Sequence, residues 1–194
     1  MEFIIHRINT VKELLEIPPK FGVEIDIRAY GKDLVLNHEP FTGGELLNDY
    51  LDHYRHGTLI LNIKESGIEK NVLEIMKEKK IKNYFLLDCE YPYILTRGKG
   101  NFLDIAVRFS CEESIDSVQY QIGNLKWVWI DTFQENPIRI DHLKILKNFS
   151  TCLVCPSRWG HQDKIPSYIN LFDQYNWKPN AVMTSLDCYK LWKN

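Results

Sequence analysis

Val23-Glu24-Ile25-Asp26-Ile27 alternates apolar and acidic residues with the period of two that a strand imposes. Its three apolar side chains share one face, and both carboxylates share the other. Leu59-Ile60-Leu61-Asn62-Ile63-Lys64 splits the same way, with Leu59, Leu61 and Ile63 against Asn62 and Lys64. Ile105-Ala106-Val107-Arg108-Phe109-Ser110 sets Arg108 and Ser110 apart from its apolar partners. If helices cover the apolar faces, the polar faces point into an enclosed sheet, and the acids meet the basic residues there.

The remainder of the chain supplies the helices. Strand-like runs lie at Phe3–His6, Val23–Ile27, Thr58–Lys64, Tyr84–Asp88, Asp104–Ser110, Lys126–Asp131, Cys152–Cys155 and Ala181–Thr184, and helical spacing falls between them, as in Val72, Leu73, Ile75 and Met76 or Leu143, Ile145 and Leu146. Thr10–Glu13, Thr42–Glu45 and Ser66–Glu69 have the capping-box spacing, and Asn136-Pro137 reads as a cap followed by proline at the first helical position. Eight strands alternating with helices predict an α/β fold, a small single-domain (β/α)8 barrel over residues 1–194. An open doubly wound sheet should carry a glycine-rich turn after its first strand, and His6-Arg7-Ile8-Asn9-Thr10 has no glycine. Gly31-Lys32-Asp33 between Ile25–Tyr30 and Leu34–His38 predicts a hairpin that extends the second strand and returns His38 to the barrel mouth.

Composition narrows the function classes. The chain has 194 residues, 44% of them hydrophobic and 12% aromatic, which excludes disorder as its main state. A net charge of −2, from 24 basic and 26 acidic side chains, gives no electrostatic reason to bind nucleic acid. No run approaches the roughly 18 apolar residues of a membrane span, and the start MEFIIHRINT is no secretory signal, so a soluble, cytoplasmic chain is expected. The five cysteines have no framework spacing. Cys152 and Cys155 form a CxxC in an apolar run, where buried thiols are expected ahead of zinc. Thr96-Arg97-Gly98-Lys99-Gly100-Asn101 precedes a strand and reads as a plain turn, and His53, His56 and His142 read as surface residues.

The polar strand ends carry the candidate chemistry. Glu24 and Asp26 are costly to bury together unless a cation neutralises them or one holds a proton. With the Asn62 oxygen they form a candidate site for a hard divalent cation, magnesium or calcium; the alternative is an internal salt-bridge network with Lys64 and Arg108. His6 and His38 at the same mouth could act as general acid and base. Arg108, and Arg158 after the seventh strand, could hold a phosphate, or Arg158 could be a solvated loop residue. Trp129 could wall the pocket, though packing inside the sheet is the favoured reading.

In their order, His6-Arg7, Glu24-Ile25-Asp26, His38-Glu39 and Asn62-Ile63-Lys64 resemble the glycerophosphodiester phosphodiesterase family of the phospholipase-C-like barrels. The resemblance implies that His6 and His38 are acid and base, that Glu24, Asp26 and Asn62 hold a divalent metal, and that Lys64 and Arg7 contact a phosphate. It implies cleavage of a small, glycerol-like phosphodiester by a neighbouring hydroxyl, giving a cyclic phosphate and a free alcohol. Asn62 stands where the family has a third metal carboxylate, and Ile8 where it has glycine. Only 23 residues separate His38 from Asn62, so the cap domain that many members insert there is missing. A barrel that binds a phosphorylated ligand without turning it over is the alternative function.

Overall fold

The computed structural model describes residues 1–101 and 103–193. Its backbone gathers into two units, Ile4–Leu95, and Met1–Phe3 together with the chain from Thr96 onward. Strand and helix alternate through β1 (Glu2–Ile5), α1 (Val11–Glu16), β2 (Gly22–Tyr30), β3 (Asp33–Leu36), β4 (Glu45–Leu46), α2 (Leu47–Asp52), β5 (Leu59–Ile63), α3 (Glu69–Glu78), β6 (Tyr84–Leu87) and α4 (Tyr91–Gly98). They continue through β7 (Leu103–Phe109), α5 (Ile115–Gln119), β8 (Leu125–Ile130), α6 (Leu143–Leu146), β9 (Ser150–Val154), α7 (Ile165–Gln174) and β10 (Ala181–Thr184). The strand order is β1-β10-β9-β8-β7-β6-β5-β2-β3-β4, and β1 also pairs with β2. The order therefore closes on itself, and the fold is the eight-stranded (β/α)8 barrel expected from the alternation, with β3 and β4 appended.

In the unit Ile4–Leu95, β2 pairs in parallel with β1 and with β5, and β5 with β6. Asp26 stands opposite Asn62 in that register. Both faces of β5 are buried, so Leu59, Ile60 and Leu61 form the continuous apolar run of a covered parallel strand. Leu14, Leu47, Tyr50, Val72 and Met76 on the helices are buried as well. The hairpin forms as expected. Tyr30 pairs with Asp33 across a two-residue turn that Gly31 enters with φ of 64°, a conformation glycine adopts without strain.

Helix starts follow the sequence at one place and depart at three. Thr10 caps α1 in a full capping box with Glu13, as the spacing predicts. Thr42–Glu45 does not cap α2, because Glu45 belongs to β4 and its carboxylate accepts the Val11 N–H at 2.6 Å, the first donor of α1. An acid 34 positions away in sequence wins over the local box. Ser66–Glu69 gives no box either: α3 starts at Glu69, whose Oε2 accepts the Gly67 N–H. Asn136-Pro137 starts no helix, because the Asn136 side chain closes a local turn onto the Ile138 N–H and helical structure begins at Ile140.

Gly44 makes the tightest approach on the appended strands. A Cβ there would collide with the backbone carbonyl of Leu36 on β3. Backbone cannot step aside as a side chain would, so Gly44→Ala is expected to destabilise the fold by about 2 kcal/mol. A denaturant midpoint unchanged from wild type would contradict this.

In the unit containing Thr96 onward, β7, β8, β9 and β10 pair in parallel in sequence order. Cys152 and Cys155 are buried free thiols, the expected reading of that CxxC. Tyr168, Phe172 and Trp192 form an aromatic cluster between α7 and the carboxyl end, with Phe172 and Trp192 stacked at 6.1 Å. Two expectations fail here. The Thr96–Asn101 stretch is no simple turn, since α4 runs on to Gly98. His142 is buried instead of exposed: its ring packs edge-on to Phe109 and its Nδ1 lies 3.1 Å from the Pro137 carbonyl. The apolar run Leu143–Leu146 that follows draws the whole turn inward.

Candidate functional site

The loop after β1 is tied to β2 at every residue from Arg7 to Asn9. The Arg7 N–H donates to Glu24 Oε2 at 2.8 Å, and the Ile8 N–H donates to the Glu24 carbonyl at 2.9 Å. The Asn9 amide makes a paired contact with Asp26, donating to Oδ2 and accepting the backbone N–H, both at 2.9 Å. From behind, the buried Tyr50 hydroxyl donates to the Ile8 carbonyl at 2.8 Å. Arg7 holds a left-handed backbone, φ 56°, and so delivers both its N–H and its guanidinium to the β2 carboxylates.

Glu24 and Asp26 are each 1% exposed. Asp26 Oδ1 lies 3.3 Å from Lys64 Nζ, and its Oδ2 lies 3.5 Å from Arg7 Nε. Glu24 Oε1 accepts from Asn62 Nδ2 at 2.9 Å, and His6 Nε2 stands 3.8 Å from Oε2. Burial pushes the Glu24 carboxyl up to about 7, and the neighbouring Asp26 charge pushes the same way. The Asn62 and Arg7 hydrogen bonds and the Lys64 charge only partly offset this. Two carboxylates in one dry place thus keep a demand for positive charge.

His38 follows β3 and is half exposed, with Nδ1 2.7 Å from Glu39 Oε1. A carboxylate only accepts, so this contact places a proton on Nδ1, and in the neutral ring Nε2 carries the lone pair. The hydrogen bond and then the charge of His38 hold the Glu39 carboxyl below its usual range. Arg28 clamps the loop: Nε and Nη2 donate to the His38 carbonyl, and Nη1 donates to the Lys64 carbonyl. Lys64 Nζ also lies 3.9 Å from Asp88 Oδ2.

The structure therefore connects His6, Arg7, Glu24, Asp26, Asn62 and Lys64 through direct contacts, and ties His38 to Lys64 through Arg28. All belong to the unit Ile4–Leu95. Arg108 and Arg158 belong to the other unit. Arg108 is engaged by Glu113 at 2.6 Å and by Asp131 at 3.1 Å. Arg158 is exposed, with its guanidinium 5.1 Å from the Trp159 ring. Trp129 is buried, in line with packing, and its Nε1 has no hydrogen-bond partner.

Three residues of the cluster were not assigned from sequence. Arg28 had a usable signal, because Glu24, Asp26 and Arg28 alternate onto one strand face. Asn9 had none: only the folded loop brings its amide to Asp26. Asp88 was recognisable as a strand end but not as a neighbour of Lys64.

Oxygen donors suited to a hard cation are present. Asn62 Oδ1 is buried and has no hydrogen-bond partner, beside two buried carboxylates. Among the described residues no group of three His, Cys, Asp or Glu side chains could hold a metal ion. Such a site would therefore consist of Glu24, Asp26 and the Asn62 amide oxygen, with a formal charge of about −2.

No protein-family model and no curated protein matches the chain. Among solved structures, the chain is similar to one from Agrobacterium tumefaciens named as a glycerophosphoryl diester phosphodiesterase. The match has a TM-score of 0.65 and 10% sequence identity, and covers 100% of this chain and 97% of that one. At that identity the likeness establishes a shared barrel fold. Among the described residues, no helix is long and apolar enough to cross a membrane.

Proposed function

We propose that this chain cleaves a phosphodiester of a small polyhydroxy alcohol at the cluster in the unit Ile4–Leu95. The observation that carries the reading is the convergence of Arg7, Lys64 and His6 on the buried pair Glu24 and Asp26, with His38 tied to the same strand ends. The barrel neighbour named as a phosphodiesterase supports it. In this reading His38 Nε2 takes the proton of a substrate hydroxyl beside the ester, and the freed oxygen attacks phosphorus. The bond to the leaving alcohol breaks, and His6, beside Glu24, returns a proton to that oxygen. The products are a cyclic phosphate and a free alcohol. Lys64 and Arg7 meet the charge on the phosphoryl oxygens, ordinarily the largest catalytic contribution. A divalent cation bound to Glu24, Asp26 and Asn62 would add Lewis-acid polarisation of the phosphoryl group.

Metal binding is testable apart from turnover. Calorimetric titration with magnesium and calcium should show a weak site, and Asn62→Glu should tighten it by about tenfold by restoring one charge. An affinity that Asn62→Glu leaves unchanged in folded protein removes Asn62 from the ligand set. A second reading, a barrel that holds a phosphorylated ligand without cleaving it, draws on the cations already paired with Asp26. It would prevail if the protein binds phosphate but takes up no metal at millimolar concentration and converts no diester.

A further inference from the structure

Among the described residues five non-glycine residues hold a left-handed backbone: Arg7, Phe41, Lys80, Asp88 and Asn176. Lys80 and Asn176 each follow the C-cap residue of a helix, α3 and α7, where chains commonly leave through this conformation. The other three follow β1, β3 and β6 and end no helix. Backbone strain of this kind persists where the surroundings enforce it and collects at functional sites. Arg7 is accounted for by the N–H it gives to Glu24. Asp88, with φ of 58°, is not used by the chemistry above.

Lys64 lies between two carboxylates of different depth. Asp26, 3.3 Å away, is buried, whereas Asp88, 3.9 Å away, has a side chain 31% exposed. Asp26 by itself would draw the ammonium inward, toward an oxygen that has no other charge so near. A partner on the solvent side opposes that pull and holds the ammonium where an incoming anion can meet it. We propose that Asp88 is a positioning residue, whose strained strand end places a carboxylate where it holds the Lys64 ammonium outward for the phosphoryl group. The inference rests on the phosphate-binding role given to Lys64.

Simple electrostatics predicts the opposite effect for a bystander. A carboxylate beside an anion site repels the anion, so neutralising it should tighten phosphate binding. The proposal requires that neutralising it weaken binding. Calorimetric titration with inorganic phosphate decides between them. Asp88→Asn should weaken phosphate binding by about fivefold to tenfold, and Asp88→Gly, which suits the backbone conformation and preserves the fold, should do the same. In a Lys64→Met background, Asp88→Asn should cause no further loss, which a merely structural defect would not reproduce. Phosphate bound equally or more tightly by both single variants overturns the proposal, as does an undiminished loss in the Lys64→Met background. Wild-type protein that binds no phosphate overturns the site reading itself.

Discussion

His38→Ala is expected to lower the rate of diester cleavage by about 100-fold or more while leaving the thermal midpoint nearly unchanged. The ring is half exposed and packs into no core, so its loss removes chemistry and leaves folding intact. Glu39 fixes a proton on Nδ1, so in the neutral ring Nε2 is the lone-pair nitrogen. A base acting through that nitrogen should contribute the acidic limb of the pH–rate profile, and His38→Ala should flatten that limb. His6→Ala should cost a similar factor on the basic limb, because the proton it donates comes from a ring beside Glu24. Full activity in both variants would remove the acid–base assignment.

Glu24→Gln should abolish turnover and, in metal-free protein above pH 7, stabilise the fold. The Glu24 carboxyl is raised from 4.5 to about 7, so the folded state holds the proton more tightly than the unfolded chain. Its contribution to stability is fully present below pH 4.5 and is lost as pH rises through about 7. A permanently neutral glutamine escapes that loss, which is on the order of 3 kcal/mol. The amide can be accommodated. Its oxygen accepts the Arg7 N–H, and a rotated Asn62 amide turns its unpartnered Oδ1 toward the new NH2 group. Melting curves at pH 5 and pH 8 check the sign: the gain should be much smaller at the lower pH. A variant less stable than wild type at pH 8 would show that Lys64 and Arg7 already satisfy Glu24 in full.

Strand periodicity made the barrel legible. Val23–Ile27 and Leu59–Lys64 place Glu24, Asp26, Asn62 and Lys64 on one face by alternation alone, whereas the register of Asp26 opposite Asn62 comes from the strand pairing. Local helix-start signals were less dependable, because Glu45 and Asn136 found partners that satisfy a backbone donor elsewhere. His142 shows a related limit: its position next to an apolar turn decides its burial, and one polar residue carries no sign of that. The supporting shell of the site was almost illegible. Asn9, Tyr50 and Arg28 act through backbone groups of residues 10 to 42 positions away, and no spacing rule reports such contacts.

Phosphorus NMR of wild-type protein with glycerol-based phosphodiesters, in millimolar magnesium or calcium, tests the central claim most directly. The account predicts that the diester resonance decays, that a five-membered cyclic phosphate appears with release of one equivalent of alcohol, and that neither happens with His38→Ala. A diester resonance unchanged under conditions where the same protein binds inorganic phosphate would contradict catalysis and leave a phosphate-binding barrel.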